Sequence, residues 1–152
     1  MKRFRFEQLL KLKTQFEEIK KCDLARQNQI LNEYVAKKVE LEENAKKVKE
    51  DLKSLCLNGF SPQQMKVYFQ FLSMLKKRMD VQNQLIYFQQ IRVEEKKKEV
   101  VESMIEKKKF EKLKEKYLIN LVNEIKQLEN KELDRVVSYK IYKGIGDRSG
   151  RG

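Results

Sequence analysis

Apolar residues in the first part of the chain recur at alternating spacings of three and four, the heptad pattern of a coiled coil. No glycine or proline interrupts the chain from about residue 4 to residue 57, which predicts a first helix over that range. The two core positions of its heptad are occupied, in chain order, by Leu24, Leu31, Lys38, Ala45 and Leu52, and by Gln27, Tyr34, Leu41, Val48 and Leu55.

Upstream of Leu24 the apolar residues keep this spacing, but their phase is offset by one residue. These residues are Leu9, Leu12, Phe16 and Ile19. Such an offset is a discontinuity in the heptad and changes supercoiling locally. The apolar stripe is therefore predicted to continue upstream in a shifted phase.

The first helix is predicted to end at a short break, residues 58–61. Gly59 is suited to a left-handed C-terminal cap, and Ser61 to an N-cap with Pro62 at the first helical position. A connection this short makes consecutive helices antiparallel neighbours. The break is therefore predicted to be the tip of a hairpin and not a domain boundary.

The second helix is predicted over about residues 61–138. One track of its seam contains Met65, Leu72, Met79, Ile86, Val93 and Val100, and the other contains Tyr68, Leu75, Gln82 and Gln89. Further along, the phase is predicted to shift through Met104 and Phe110 to Tyr117, Leu121 and Leu128. Residues 143–152, rich in glycine and without phase, are predicted to be a disordered tail.

The fold class predicted from these patterns is all-α: a long two-helix antiparallel coiled-coil hairpin over residues 1–142. Because the second helix is the longer one, the first can cover it only to about Lys114. Residues Leu118–Val137 would then overhang, with an apolar stripe that has no partner within the chain. The alternative is a kink within Glu94–Glu99 that creates a third helix.

The start of the second helix contains more apolar residues than a two-helix seam requires. Phe69 and Phe71 lie outside the seam, so one partner helix cannot cover them. Clustered exposed aromatic residues usually mark a contact site. The alternative is that Phe60 and the break fold over them.

Charge and composition narrow the functional classes. The chain has a net charge of +12, with 38% charged residues and no histidine. Between Glu94 and Lys116 acids and bases alternate about one helical turn apart, which is typical of a solvated helix and not of a phosphate-binding surface. Cys22 and Cys56 are too far apart to bond on one helix, which indicates a reducing compartment.

No constellation of residues points to catalysis. The sequence has no phosphate-binding glycine loop, no zinc-ligand spacing and no run of apolar residues long enough to enter a membrane. The sequence therefore predicts a protein that is not an enzyme, holds no cofactor or metal, and binds neither nucleic acid nor the bilayer interior.

Four stretches of this chain resemble the flagellar type III export protein FliJ family. They are the start with Arg5, Phe6, Leu9 and Leu10, the segment "NGFSPQQMKVYFQFLSMLKKRMDVQNQLI", the charged run "EKKKFEKLKEK" and the closing "ENKELDRVV". In the closing stretch Arg135 stands where the family often has an acid. The four stretches are distributed from Arg5 to Val137, so the resemblance extends over nearly the whole chain.

The resemblance implies a stalk-like protein that enters the pore of a hexameric export ATPase, promotes its assembly, contacts an export gate membrane protein and escorts export chaperones. It implies a cytoplasmic location, peripheral at the inner membrane. The gate-side residues would be Leu41, Phe69, Phe71, Leu75 and Gln82. The part of this patch on the first helix matches the family weakly, because Asn44 and Val48 stand where the family has aromatic residues. The ATPase-side residues would be Leu118, Leu121, Ile125, Leu128, Leu133 and Asp134.

Other functional classes remain open from the sequence. A stalk of a virulence type III secretion system or of a rotary ATPase would show the same pattern. A homodimeric coiled-coil scaffold and a nucleic-acid-binding rod are further alternatives, the last requiring an affinity that falls steeply with salt.

Overall fold

The computed structural model describes residues 3–59 and 61–150, and these residues form two long helices. Helix α1 is Glu7–Asn58 and helix α2 is Pro62–Ser149. The chain divides into two compact units, unit 1 with Met1–Thr14 and Glu106–Gly152, and unit 2 with Gln15–Ile105. Because α2 is uninterrupted, the alternative of a third helix created at Glu94–Glu99 is wrong.

The break between the helices has the predicted caps. Gly59 has a φ of 80°, in the left-handed region that a residue without a Cβ adopts readily. The backbone N–H of Gln64 donates to Ser61 Oγ, and the N–H of Ser61 donates to Gln64 Oε1, both at 3.3 Å. This reciprocal pair is a capping box in front of α2. Phe60, which the sequence suggests as a cover for the aromatic residues, lies outside the described residues.

In unit 2, α1 and α2 run antiparallel and share the predicted seam. Its buried centre consists of Leu41, Ala45 and Leu75, with Val48 and Met79 packed against it. Gln82 Nε2 donates to the Tyr34 carbonyl oxygen at 2.8 Å, and Gln89 Nε2 donates to Gln27 Oε1 at 2.7 Å. The predicted heptad tracks are therefore confirmed here for both helices, including their glutamines.

The phase predicted upstream of Leu24 is wrong in unit 2. Phe16 and Ile19 are exposed, whereas Glu17 is buried and Lys20 is half-buried against α2. The physical reason is that a straight helix keeps the rotation set by its longer, well-packed seam, and lysine can lay its stem along that seam. Tertiary packing has overridden the local apolar pattern.

Unit 1 contains the start of the chain and the later part of α2, which also run antiparallel. The rings of Phe4 and Tyr117 lie 5.6 Å apart and those of Phe6 and Phe110 6.1 Å apart, measured between centroids. Lys114 Nζ donates to Glu7 Oε1 at 3.0 Å.

Of the residues predicted to carry the seam after Val100, Phe110, Tyr117 and Leu121 are half-buried as predicted, and Leu128 is exposed. The three half-buried residues continue the heptad of the earlier tracks, so the predicted shift of phase does not occur. Within unit 1 the residues turned toward the partner segment continue at heptad spacing: Phe110, Lys114, Tyr117 and Leu121 are half-buried. Leu9 and Leu12, from the upstream stripe, are exposed in this unit. As in unit 2, the continuous heptad and not the local apolar count sets the rotation of the helices.

Helix α2 ends later than predicted. It continues through Lys143 to Ser149, so the predicted disorder does not describe residues 143–149. Two isolated glycines cost a helix about 1 kcal/mol each without forbidding it. The last turn is closed by the Ser149 hydroxyl and the Gly150 N–H, which both donate to the Gly146 carbonyl oxygen. Arg151 and Gly152, also predicted as tail, lie outside the described residues.

Candidate functional site

Four of the five residues predicted to face an export gate line one open groove in unit 2. They are Leu41 from α1 and Phe71, Leu75 and Gln82 from α2, and the groove has a volume of about 560 Å³. The antiparallel seam brings them together, because Leu41 and Leu75 belong to facing core positions. Phe69, the fifth residue, is 52% exposed and does not line this groove.

The groove residues differ in what they offer a partner. Leu75 is only 2% exposed and belongs to the core, whereas Phe71 is 42% exposed. The Gln82 side chain is buried and its Nε2 is used by the Tyr34 carbonyl oxygen. Of these four residues, Phe71 therefore offers a partner an accessible apolar side chain, whereas Leu75 and Gln82 belong to the buried seam.

The helix-1 side of the groove is polar. Lys37, Glu40 and Asn44 line it, while Val48 packs against the core. The rim on α2 adds Lys77 and Arg78. Three cations against one carboxylate give this groove a positive potential.

The residues predicted to face an export ATPase lie in unit 1, on the later part of α2. Leu118, Ile125, Leu128, Leu133 and Asp134 are exposed, and Leu121 is half-buried. Every residue from Val122 to Gly150 is exposed. This segment of α2 therefore presents its apolar side chains without cover from the described part of unit 1.

Ion pairs within each unit replace apolar contacts where the seam is polar. In unit 2, Lys20 and Lys96 both place Nζ 3.1 Å from Glu99 Oε2, and these hydrogen bonds hold the pKa of Glu99 below its ordinary value of 4.5. In unit 1, the hydrogen bond from Lys109 chiefly lowers the pKa of Glu106, with a smaller contribution from Lys13. The pairs of Lys20 with Glu99 and of Lys13 with Glu106 connect the two helices. The pairs that Lys96 and Lys109 make lie within α2.

Sequence reasoning missed part of the exposed apolar surface of unit 2. Val81, Leu85 and Phe88 are exposed on α2 beyond the predicted aromatic cluster. The signal was available, because Val67, Met74, Val81 and Phe88 recur every seven residues outside the seam.

The described residues contain neither a metal site nor a membrane span. No three His, Cys, Asp or Glu side chains of this part of the chain are grouped as metal ligands would be. Neither helix, over its described length, has a stretch apolar enough to cross a bilayer. Both cysteines are free and exposed.

The fold and these surfaces define a class: a two-helix coiled-coil hairpin whose apolar side chains are in large part exposed. The family model described as "Flagellar FliJ protein" matches residues 1–144. The flagellar FliJ protein of Bacillus subtilis (strain 168) is 34% identical over 136 residues, which cover 88% of this chain and 90% of that protein.

The chain belongs to the flagellar FliJ family. The family is non-enzymatic and serves flagellar type III export, so the chain is a flagellar export protein without catalytic activity.

A solved structure shows the same fold. It is a Chlamydia trachomatis protein, CT670, described as a YscO homologue, with a TM-score of 0.54 and 18% sequence identity over 94% of this chain and 98% of its own.

Proposed function

We propose that the chain is a stalk-like coiled coil that binds a hexameric export ATPase and promotes the assembly and activity of the ring. It links that ring to an export gate membrane protein and to export chaperones. It acts in the cytoplasm, peripheral to the inner membrane. Family membership supports the flagellar export role, and the two exposed surfaces support separate partners.

The observation that carries the ATPase part is the uncovered segment of α2 in unit 1. Val122, Ile125 and Leu128 are each about half exposed or more, and no described residue after Leu121 is buried. An amphipathic helix derives most of its stability from packing, so an uncovered apolar stripe is suited to a partner. A ring pore lined by carboxylates would attract this basic chain electrostatically.

The gate part rests on Phe71 and the groove around it. Phe71 is exposed and lines the same groove as the buried Leu41 and Leu75, so an aromatic side chain is accessible beside a packed core. Anchors of this kind carry much of the binding energy of protein interfaces. The chaperone part rests on the family resemblance alone.

The test measures stimulation of the cognate export ATPase by purified protein. Deletion of residues 118–152 should abolish stimulation, because it removes the uncovered segment and leaves the Glu7–Lys114 and Phe4–Tyr117 contacts in place. The double substitution Ile125→Gln and Leu128→Gln should reduce stimulation about tenfold, the size expected for two interface anchors.

The control is Tyr142→Gln, which changes a residue that is 78% exposed on the same helix, beyond the residues Leu118 to Asp134 assigned to the ATPase. It should stimulate as the unchanged protein does. Circular dichroism should show all variants helical. Full stimulation by the helical deletion variant would refute the assignment of this segment to the ATPase.

A further inference from the structure

Helix α2 carries a second apolar stripe in unit 2, separate from the seam with α1. Its members share heptad spacing and exposures from 37% (Met74) to 64% (Val67). We call the following six residues the second stripe: Val67, Phe71, Met74, Val81, Leu85 and Phe88. A two-helix hairpin needs one stripe per helix, so this stripe is in excess of what the fold requires.

The middle of the second stripe forms one wall of the groove described above. Phe71, Met74 and Val81 face Lys37 and Asn44 of α1 across it. Helix α1 thus contributes a polar wall where a buried interface within the chain would have an apolar one. The apolar side chains of the stripe are therefore available to a binding partner that has an apolar face of its own.

The charges beside the stripe indicate the chemistry of that occupant. Lys37 and Lys77 line the groove beside the stripe, and Arg78 lines it from the stripe position between Met74 and Val81. Among the described residues, no ion pair joins any of these three cations to a carboxylate. Glu40 is the one acid lining the same groove. A helix with carboxylates along the border of its apolar face would satisfy these cations.

We propose that the second stripe binds a single amphipathic α-helix of another protein, with apolar residues at spacings of three and four and acidic residues bordering them. This rests on the proposed use of the groove for a partner and adds the chemistry of the segment that fills it. Leu85 and Phe88, beyond the predicted gate residues, extend the contact to about six helical turns.

The pattern favours a helix over other occupants. An extended strand presents side chains with a period of two and cannot match a stripe at three and four over this length. A second copy of the chain would bring its own Lys77 and Arg78 against the same cations, and like charges in apposition oppose association.

The experiment measures binding of designed fluorescent peptides to the full chain. The acidic peptide, about 22 residues long, carries leucine at spacings of three and four with flanking glutamates; the basic peptide has lysine at each glutamate position. The acidic peptide should bind at least about tenfold more tightly than the basic one, and more weakly as salt is raised.

The variant Leu85→Gln with Phe88→Gln should weaken binding of the acidic peptide about tenfold. Its matched control is Val101→Gln with Ile105→Gln, which changes two residues of α2 exposed to a similar degree but off the second stripe. The control should bind as the unchanged chain does, and both variants should remain helical by circular dichroism.

Three results would overturn the proposal: equal affinity for the two peptides, binding unaffected by Leu85→Gln with Phe88→Gln, or sedimentation showing a dimer of the chain that this variant dissociates. Binding of an export-gate fragment that depends on Phe71 while neither peptide binds would also reject the acidic helix. That last result would leave the proposed function standing.

Discussion

Neighbouring residues in the groove of unit 2 differ in how deeply they are buried. Leu75 is 2% exposed and packs with Leu41 and Ala45, whereas Phe71, one turn earlier, is 42% exposed. The family resemblance implies that both residues contact the export gate. Their different burial predicts that substitutions at the two positions change stability by different amounts.

Leu75→Ala should lower the free energy of unfolding by about 2–4 kcal/mol, because it truncates a buried side chain and leaves a cavity. Phe71→Ala should cost less than about 1 kcal/mol, since its ring is already partly hydrated. Urea unfolding followed by circular dichroism measures both. Equal losses from the two substitutions would show that Phe71 is also part of the core.

The seam of unit 2 also contains a pair of amides. Gln89 Nε2 donates to both Gln27 Oε1, at 2.7 Å, and the Gln27 carbonyl oxygen, at 2.9 Å. The sequence places these glutamines at core positions but does not show that they meet. Only the axial alignment of the two helices brings position 27 opposite position 89.

Gln89→Leu should destabilise the protein by about 1–2 kcal/mol, because the Gln27 amide loses its partner in a half-buried seam. Gln27→Leu with Gln89→Leu should recover that loss or exceed it, since both polar groups are then replaced by apolar ones. A double-mutant cycle on urea unfolding measures the coupling. A double variant less stable than both single variants would contradict the pairing.

At the scale of the helices, the seam of unit 2 changes character along its length. Near Leu41 and Leu75 it is apolar, whereas near the buried Val100 an ion pair between Lys20 and Glu99 also joins the helices. We therefore expect a change of pH to alter the stabilisation from the part of the seam with the ion pair and to leave the apolar part unaffected.

Glu99→Gln provides the test. The pKa of Glu99 is lowered in the folded chain by the hydrogen bonds from Lys20 and Lys96, so folding favours its charged form. That stabilisation is present above the ordinary value of 4.5 and is lost as the pH falls through the lowered pKa. Thermal melting should show Glu99→Gln less stable than the unchanged chain at pH 7.

Below the lowered pKa the two proteins should melt at the same temperature, because a protonated glutamate resembles glutamine. Glu102→Gln, which changes a nearby exposed glutamate, is the control and should track the unchanged chain throughout. A constant difference between Glu99→Gln and the unchanged chain at every pH would contradict the ion pair.

Boundaries and rotation of the helices were predicted with different success. The start of α2 followed from local chemistry, since Ser61, Pro62 and Gln64 form a cap by themselves. The rotation of the start of α1 did not, because Phe16 and Ile19 form an apolar pattern that the longer seam overrides. The end of α2 also did not follow from local chemistry, because glycine weakens a helix without ending it.

For the chain as a whole, the sparsity of turn residues made the two-helix fold predictable. Before Gly144, glycine and proline occur only at Gly59 and Pro62, so one break was the single option. The candidate sites were predictable as excess apolar residues, such as Phe71 and Ile125. Their exposed fractions were not, because burial depends on which residues of the other helix lie opposite.

The two exposed thiols of α1 have a practical consequence. Cys22 and Cys56 are the only cysteines of the chain, are both free and both belong to unit 2. At 1.5 Å per residue they are separated by about 50 Å along a straight helix, a span that a pair of fluorescent dyes can measure. Dyes attached to the two native thiols would therefore report, as a change in the distance between them, whether α1 bends when a partner binds.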